Sequence, residues 1–411
     1  MGITELNLTL TEEQKALITA ARRFFREVWR PASIALDKLA DPADVIAPDS
    51  IFWETGRKTF ELGYHKMGLP EEIGGLSVDP LSMAILTEEM GYASPGLAAS
   101  WMVCGTPFLY AMLSEDPQVR ELVLAFCADT KAEMTGCWAI TEPEHGSDWL
   151  LLEGTHYSDP KVVPQVRAKL DGEHYIINGQ KAAWVSNGTI ARYAALFLNL
   201  DSTKGIAGGG VAVVPLDLPG VSRGKPLAKI GQRDLNQGEI YFDNVRLPKS
   251  YMIGKDPETY HLMITNQLAT ANAWMGSCFT GLAYAAYDEA LSYAKQRIQG
   301  GRPIIEHQNI KLKLFDMFTG VEAARAFSRQ VMVYNFQQIA EAKPPALEYS
   351  VASKVFCTET AFHVASQAVQ IFGGNGLSQE YTIEKIFRDA RASMIQDGIN
   401  ETLAIGAASR L

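Results

Sequence analysis

The sequence predicts a multidomain α+β protein with an N-terminal α-helical domain, a middle antiparallel β domain and a C-terminal four-helix bundle. Apolar residues recur at helical spacing before about residue 132 and after about residue 256, and short β-rich runs separated by turn residues lie between. No GxGxxG turn joins a strand to a helix, which argues against a dinucleotide-binding βαβ unit. We place the domains at 1–132, 133–252 and 253–411.

The N-terminal domain is predicted from helix signals. Thr11 and Gln14 have the spacing of a capping box, and apolar residues then follow a helical period until Pro31, where we expect the helix to stop. Further helices are predicted at 50–63, 80–93 and 116–128, with Gly- and Pro-containing loops between them.

The middle domain is predicted from the runs YIING, AALFLNL, GVAVVPL and GEIYFDNVRLP, which are rich in β-branched and aromatic residues and end in turn residues. In the C-terminal part we predict helices at 257–296, 305–340, 344–372 and 380–393, and a short one reaching Leu411. Their alanine-rich faces indicate a closely packed bundle. The apolar residues Phe315, Met317 and Phe318 are expected in its core.

Composition excludes several classes of function. The 411 residues carry a net charge of −10 without a basic cluster, which argues against nucleic-acid binding. We expect no membrane span, because no window offers the ~18 uncharged apolar residues that a bilayer requires. The first residues lack the features of a signal peptide, so we expect a cytoplasmic protein. The five cysteines form no CxxC pair, so we expect buried thiols and neither a disulfide nor a metal site.

Three stretches stand out by their order and spacing. They are ITEPEHGSD (140–148) with IINGQKAAWVSNG (176–188), RIQGGRPIIEHQ (297–308), and QIFGGNGLSQEYTIEKIFRDAR (370–391) leading into IQDGINETL (395–403). Each alone has a purely structural interpretation as a hairpin loop, a core strand or a turn. Together they resemble the acyl-CoA dehydrogenase family over nearly the whole chain.

The resemblance implies FAD as the cofactor. Trp138 and Thr141 correspond to flavin-binding positions, with the Thr141 hydroxyl on the pyrimidine side of the ring. Trp184 corresponds to the aromatic residue against the ring, and Ser186 to the hydroxyl near its hydride-accepting side. Hydrogen-bond donors aimed at the pyrimidine side favour flavin reduction, because the reduced ring carries negative charge there.

The resemblance also implies cofactor contacts from a neighbouring subunit. The positions that correspond to pyrophosphate and adenine contacts, the glycine-rich QxxGG turn and the following helix are Arg297, Gln308, Gln370, Gly373, Gly374 and Glu401. Contacts across an interface require at least a dimer, and the family pattern implies a homotetramer built as a dimer of dimers. Gly300 replaces the aromatic residue that follows the arginine in the family.

The closing segment aligns without gaps to the family signature, and Asp397 falls on the catalytic glutamate. The resemblance implies that Asp397 removes the α-proton of an acyl-CoA while the β-hydride passes to flavin N5. An electron-transfer flavoprotein then accepts the electrons. Ser147, Gln396 and Gly398 correspond to substrate-binding positions. Some family members carry the base elsewhere, one position before an arginine on the first long helix of the bundle. These two positions match Ala271 and Asn272, and neither residue can serve.

An aspartate is shorter than a glutamate by one carbon–carbon bond, roughly 1.5 Å. Our hypothesis is that a branched or alicyclic acyl group brings its α-carbon closer to the shorter base. One alternative function is a nitroalkane-oxidase-like flavin oxidase or monooxygenase acting on a non-CoA substrate, and another is a non-catalytic homologue. An extra segment around 157–166, absent from the family pattern, is expected to form an exposed hairpin, or else to lie over the CoA entrance.

Overall fold

The computed structural model describes residues 4–411 and confirms the predicted order of helices, sheet and helices. The N-terminal helices are α1 (Glu12–Phe24), α2 (Arg30–Asp37), α3 (Pro42–Val45), α4 (Ile51–Glu61), α5 (Pro80–Ala93), α6 (Pro95–Val103), α7 (Thr106–Ala111) and α8 (Pro117–Ala128). The capping box is confirmed, since the Gln14 N–H donates to Thr11 Oγ1 at 3.1 Å and the Thr11 N–H donates to Gln14 Oε1 at 2.9 Å.

The predicted helix stop at Pro31 is wrong. The chain continues from α1 through a π-helical turn, Phe25–Trp29, directly into α2. Pro31 is the second residue of α2, and the first turn of a helix tolerates a residue without an N–H. The chain is therefore helical from Glu12 to Asp37, and the π-helical turn directly precedes the turn that contains the proline.

The middle domain contains β1 (Gly136–Ala139), β2 (Arg167–Asp171), β3 (His174–Lys181), β4 (Tyr193–Asn199), β5 (Gly209–Pro215), β6 (Val221–Arg223), β7 (Ile240–Pro248) and β8 (Met252–Gly254). The sheet order is β6-β7-β3-β2-β4-β5-β8, with β1 also paired to β4. The predicted antiparallel β domain is confirmed for most strand pairs, but β4 pairs in parallel with β1 and β2. Long connections separate β4 from both strands, so no hairpin forces the direction to alternate.

The C-terminal helices are α9 (Pro257–Gln296), α10 (Gln308–Ala340), α11 (Leu347–Phe372), α12 (Thr382–Ser393) and α13 (Asn400–Ala408), with a small hairpin of β9 (Ile298–Gln299) and β10 (Arg302–Pro303). Met317 is buried as expected, but Phe315 and Phe318 are 67% and 37% exposed. Helical spacing places Phe315 off the buried face of α10, whereas Phe318 is one turn from the buried Leu314 and lies at the edge of that face.

Buried polar groups connect the three parts of the chain. Asp234, in the loop after β6, accepts hydrogen bonds from Ser33 Oγ and Ser94 Oγ, both at 2.5 Å. Lys385 on α12 pairs with Asp389 at 2.6 Å and lies 3.9 Å from Asp234. These contacts hold the sheet against helices of both helical domains, and a cavity lies along this junction.

All five cysteines are buried and free, as predicted. Among residues 4–411, no group of three or more His, Cys, Asp or Glu side chains is arranged to hold a metal ion. In the same range, no helix combines the length and apolarity that crossing a bilayer demands.

Candidate active site

A cavity of about 2140 Å³ lies where the sheet meets helices α6, α7 and α9. All three parts of the chain contribute to its walls, including Met102 and Thr106 from the N-terminal helices. The predicted site residues among its lining residues are Trp138, Thr141, Ser147, Trp184, Ser186, Gln396, Asp397 and Gly398. The structure thus brings the proposed base, substrate positions and flavin-ring positions to one cavity.

Asp397 lies in the short loop between α12 and α13. Its φ of 54° is in the left-handed region, which aspartate tolerates better than most residues, and Gly398 follows at φ 101°. A Cβ on Gly398 would lie 2.9 Å from side-chain atoms of Leu150 and Leu403, so the position also lacks room for a larger residue. The Asp-Gly pair therefore does form the predicted turn before the last helix, and the same turn carries Asp397 to the cavity.

The loop is held from two sides. The Ile399 N–H donates to Ser147 Oγ at 3.0 Å, which ties the loop to the 140–148 segment after β1. On the other side, Lys354 Nζ of α11 donates to Gly398 O and to Asn400 Oδ1, both at 2.7 Å. Asn400 Nδ2 in turn donates to Thr358 Oγ1 at 3.1 Å. Ser147 thus touches the loop that bears Asp397, and Lys354 is a site residue that the sequence reasoning missed.

Burial raises the pKa of the Asp397 carboxyl to about 6, against the opposing attraction of Lys354. Burial lowers the pKa of Lys354 to about 8, while Asp397, Glu401 and Glu359 favour its charged form. A carboxylate of this kind is ionised at neutral pH, yet its higher pKa makes it a stronger proton acceptor than an exposed aspartate.

Hydrogen bonds connect the segments that carry three of the predicted flavin-ring positions, Thr141, Trp184 and Ser186. The Ala182 N–H donates to Thr141 O at 2.9 Å, which holds the 140–148 segment beside the loop carrying Trp184 and Ser186. Gln237 Nε2 donates to Trp184 O at 3.1 Å and to Ser186 Oγ at 3.3 Å. Lys229 Nζ donates to Gln237 Oε1 at 2.9 Å. Neither Gln237 nor Lys229 was predicted, because both lie in a turn-rich stretch without a recognisable motif.

The cavity suits a planar cofactor with a polar edge. The Trp184 indole is 58% exposed although it lines the cavity, which leaves a large aromatic face free for stacking. Within residues 4–411, Trp138 Nε1 and Gln396 Oε1 are buried atoms without a hydrogen-bond partner. Buried polar atoms normally have a partner, so these two fit a site that is completed by a ligand or by water.

An ion pair lies beneath the 140–148 segment. Lys181 Nζ donates to Glu142 Oε1 at 2.7 Å and to Ile140 O at 2.9 Å, and both charged side chains are fully buried. The ammonium also lies 4.5 Å from the centre of the Trp149 ring. This pair fixes the backbone on which Thr141 and Ser147 are carried.

A second set of predicted cofactor residues lies away from the cavity. Arg297, Gln308, Gln370, Gly373 and Gly374 are exposed at the far end of the bundle, where α9 and α11 end and α10 begins. Along α9, 23 residues separate Arg297 from the cavity-lining Trp274, or roughly 35 Å. Glu401, on α13, is exposed and does not line the cavity either.

The structure also shows the two positions at which some family members carry an alternative base and the arginine after it. Ala271 lines the cavity, whereas Asn272 is buried and donates through Nδ2 to Leu268 O at 2.8 Å. Neither residue brings a carboxylate to the cavity.

The extra segment around 157–166 does not form the expected exposed hairpin. Tyr157 is buried, and Asp159 packs closely against the backbone of Gly205. The neighbouring His156 forms a hydrogen bond through Nε2 to Asp148 O at 2.9 Å. None of residues 157–166 lines the cavity, so the alternative position over its entrance is not observed. Because Tyr157 is an apolar anchor, the segment packs behind the 140–148 loop.

Sequence comparisons match the chain to three domain families. Residues 11–127, 137–245 and 262–411 match the N-terminal, middle and C-terminal domains of acyl-CoA dehydrogenases. A probable acyl-CoA dehydrogenase of Bacillus subtilis, YngJ, is 31% identical over 99% of this chain and 100% of its own length. The chain belongs to the acyl-CoA dehydrogenase family.

Two further relatives describe the range of this family. Cyclohex-1-ene-1-carbonyl-CoA dehydrogenase of Geobacter metallireducens is 29% identical over 95% of this chain and 96% of its own. The solved structure of butyryl-CoA dehydrogenase from Megasphaera elsdenii superposes with a TM-score of 0.82 at 25% identity, covering 98% of this chain and 99% of that one. As a member of the acyl-CoA dehydrogenase family, the protein is an oxidoreductase acting on acyl-CoA, and the family implies a flavin cofactor.

Proposed function

We propose that the protein is an FAD-dependent dehydrogenase that removes the α-proton and the β-hydride of an acyl-CoA thioester, with Asp397 as the base. The observation that carries this proposal is the position of Asp397. It is held on a fixed loop, on the same cavity as Trp184 and Ser186, with a pKa of about 6. A base with these properties suits the weakly acidic α-hydrogen of a thioester.

The residues around Asp397 have separate tasks in this reaction. The Asp397 carboxylate accepts the α-proton, which requires that the acyl carbonyl oxygen be stabilised as it gains negative charge. Within residues 4–411 the Asp397 N–H has no hydrogen-bond acceptor, so it is free to donate to that oxygen. FAD would supply the acceptor for the β-hydride, and an electron-transfer flavoprotein would take up the electrons. Trp138, Thr141, Trp184 and Ser186 would hold its ring, and the product would be an α,β-unsaturated acyl-CoA.

The acyl group is proposed to be branched or alicyclic. The shorter aspartate reaches roughly 1.5 Å less far than a glutamate from the same backbone, and a reacting pair must approach to about 3–3.5 Å. A bulky group at the α-carbon fills the space that the missing methylene leaves. Support comes from the relative that acts on cyclohex-1-ene-1-carbonyl-CoA.

The exposed set at the far end of the bundle is proposed to serve a second copy of the chain. One FAD could not contact both Arg297 and the cavity of the same chain, which are separated by roughly 35 Å along α9. Arg297, Gln308 and the Gly373–Gly374 turn would therefore contact the cofactor of a neighbouring subunit in a homotetramer. This turn faces open space, because a Cβ on either glycine would meet no atom within 4 Å. The absence of side chains there would allow a phosphate to approach the backbone closely.

The test is anaerobic reduction of the purified yellow protein by straight, branched and cyclic acyl-CoAs. The loss of flavin absorbance measures this reduction. We expect bleaching of the wild type and none of Asp397→Asn, which should keep its flavin and its circular dichroism spectrum. Normal bleaching of Asp397→Asn would refute the role of the base. Preference for straight medium-length chains would contradict only the branched or alicyclic assignment and would leave the role of Asp397 unaffected.

Two controls separate the competing functions. Rapid oxygen consumption with a nitroalkane or another non-CoA substrate, and no bleaching by acyl-CoA, would instead indicate an oxidase or monooxygenase. A yellow protein that no substrate bleaches would indicate a non-catalytic homologue.

A further inference from the structure

Lys354 is a fully buried cation in the first half of α11, among small and apolar residues. Its ammonium group donates to the two acceptors already described, Gly398 O and Asn400 Oδ1, each at 2.7 Å. These acceptors lie one and three residues after Asp397 in the chain. The lysine therefore binds the loop of the proposed base from beneath. In sequence, Lys354 lies 44 residues before Gly398, the nearer of its two bonded partners.

We propose that Lys354 is a positioning residue for the base, whose ammonium group fixes the 397–400 loop and supplies the positive charge that keeps the Asp397 carboxylate ionised. This inference rests on the proposed function of Asp397. It goes beyond that function by assigning a task to a side chain that touches neither cofactor nor substrate.

The hydrogen bonds alone do not explain a lysine at this position. A neutral amide could also donate to a carbonyl and to an asparagine oxygen, whereas a buried ammonium carries a large desolvation cost that only a nearby opposite charge offsets. The acidic groups that favour the charged lysine are Asp397, Glu401 and Glu359. Glu401 and Glu359 are exposed, so water screens their charges, and Asp397 is the partner that remains.

Within residues 4–411, Cys278 on the facing helix α9 is a further titratable group near Asp397. Burial raises the pKa of the Cys278 thiol, which is therefore neutral in the range where the carboxylate titrates. It adds no charge that could replace Lys354. Removal of the lysine charge should consequently leave the carboxylate with its burial uncompensated, and its pKa should rise further above 6.

The experiment compares three variants at positions outside the cavity lining. Lys354→Met removes both charge and donor, and Lys354→Gln removes the charge but keeps an amide donor. Thr358→Val is the matched control, because it removes a hydrogen bond to Asn400 and leaves the charge in place. The measurement is the rate of anaerobic flavin bleaching by the best acyl-CoA as a function of pH, with flavin content and circular dichroism recorded for each variant.

We expect the pH midpoint to move upward by about one unit or more in Lys354→Met and Lys354→Gln, since an opposite charge typically shifts a carboxyl pKa by about 1–3 units. Thr358→Val should keep the wild-type midpoint. A wild-type midpoint in the lysine variants would overturn the inference, and so would an equal shift in Thr358→Val. If Lys354→Met does not fold, Lys354→Gln gives the same readout.

The result is separable from a failure of the proposed function. If Asp397→Asn is bleached normally, the base is elsewhere and the proposed function fails, whatever the lysine variants do. If Asp397→Asn stays yellow and the lysine variants titrate like the wild type, only the role of Lys354 fails.

Discussion

Asp397→Asn should stabilise the protein at neutral pH while abolishing its activity. Burial raises the pKa of this carboxyl from 3.8 to about 6. Within residues 4–411 no hydrogen bond or ion-pair contact reaches its side chain, so an amide of the same shape loses no direct contact, and the raised pKa already includes the attraction of Lys354. The charge at this position therefore costs stability that the neutral amide recovers.

The size of the effect follows from the two pKa values. At about 1.4 kcal/mol per pKa unit, the difference between 3.8 and about 6 corresponds to about 3 kcal/mol at pH 7.5. The pKa of Asp397 is raised in the folded state. The contribution of this carboxyl to wild-type stability is therefore fully present below pH 3.8 and is lost as the pH rises through 6. The advantage of the variant should thus fall to about half between pH 7.5 and pH 5.

The assay is urea-induced unfolding of wild type and variant with equal flavin content, at pH 7.5 and at pH 5. Glu380→Gln is the matched control, since Glu380 is an exposed carboxylate beyond α11 and its removal should change the free energy of unfolding little. An Asp397→Asn protein that is no more stable than the wild type at pH 7.5 would refute the claim that the carboxylate is held in a desolvated position. The same gain at both pH values would refute its attribution to ionisation.

Three further outcomes are expected. The rate of wild-type bleaching should be half-maximal near pH 6 and should fall about tenfold per pH unit below it, because only the ionised Asp397 accepts a proton. A flat profile from pH 5 to 8 would contradict this expectation. Lys181→Met should lower the free energy of unfolding by about 3–5 kcal/mol, because Glu142 is left buried and unpaired; in urea unfolding, addition of Glu142→Gln should restore part of the loss. Gly91→Ala should lower the thermal midpoint, because its Cβ would lie 1.7 Å from Cys278 O between α5 and α9, and an unchanged midpoint would mean that the helices separate easily.

The sequence predicted the parts of the site that depend on a local signature. Asp397 and Ser147 belong to runs whose order along the chain is specific, and the structure places both on one cavity. Lys354 and Lys229 could not be found in this way, because their partners lie in distant segments and nothing in the local pattern distinguishes a buried lysine from an exposed one. Contacts across the fold are not encoded in helical or strand periodicity.

The errors in the fold have a similar origin. Pro31 is a reliable stop signal only in a regular α-helix, and the π-helical turn before it was not visible in the apolar spacing. The parallel pairing of β1 and β2 with β4 depends on where long connections travel, which turn residues do not reveal. Tyr157 shows the same limit, since a single anchoring aromatic converts an apparent surface insertion into packed structure.

A shorter base places a stricter demand on its support, and the structure meets that demand with contacts from two different domains. A glutamate can adjust its reach through an additional rotatable bond, but the position of an aspartate carboxylate is set almost entirely by its backbone. Here that backbone has a left-handed φ at Asp397, no room for a Cβ at Gly398, and anchors to Ser147 from the middle domain and Lys354 from the bundle. An error of about 1 Å in such a loop can cost about a hundredfold in rate. We therefore expect the anchors to matter more here than they would beneath a glutamate.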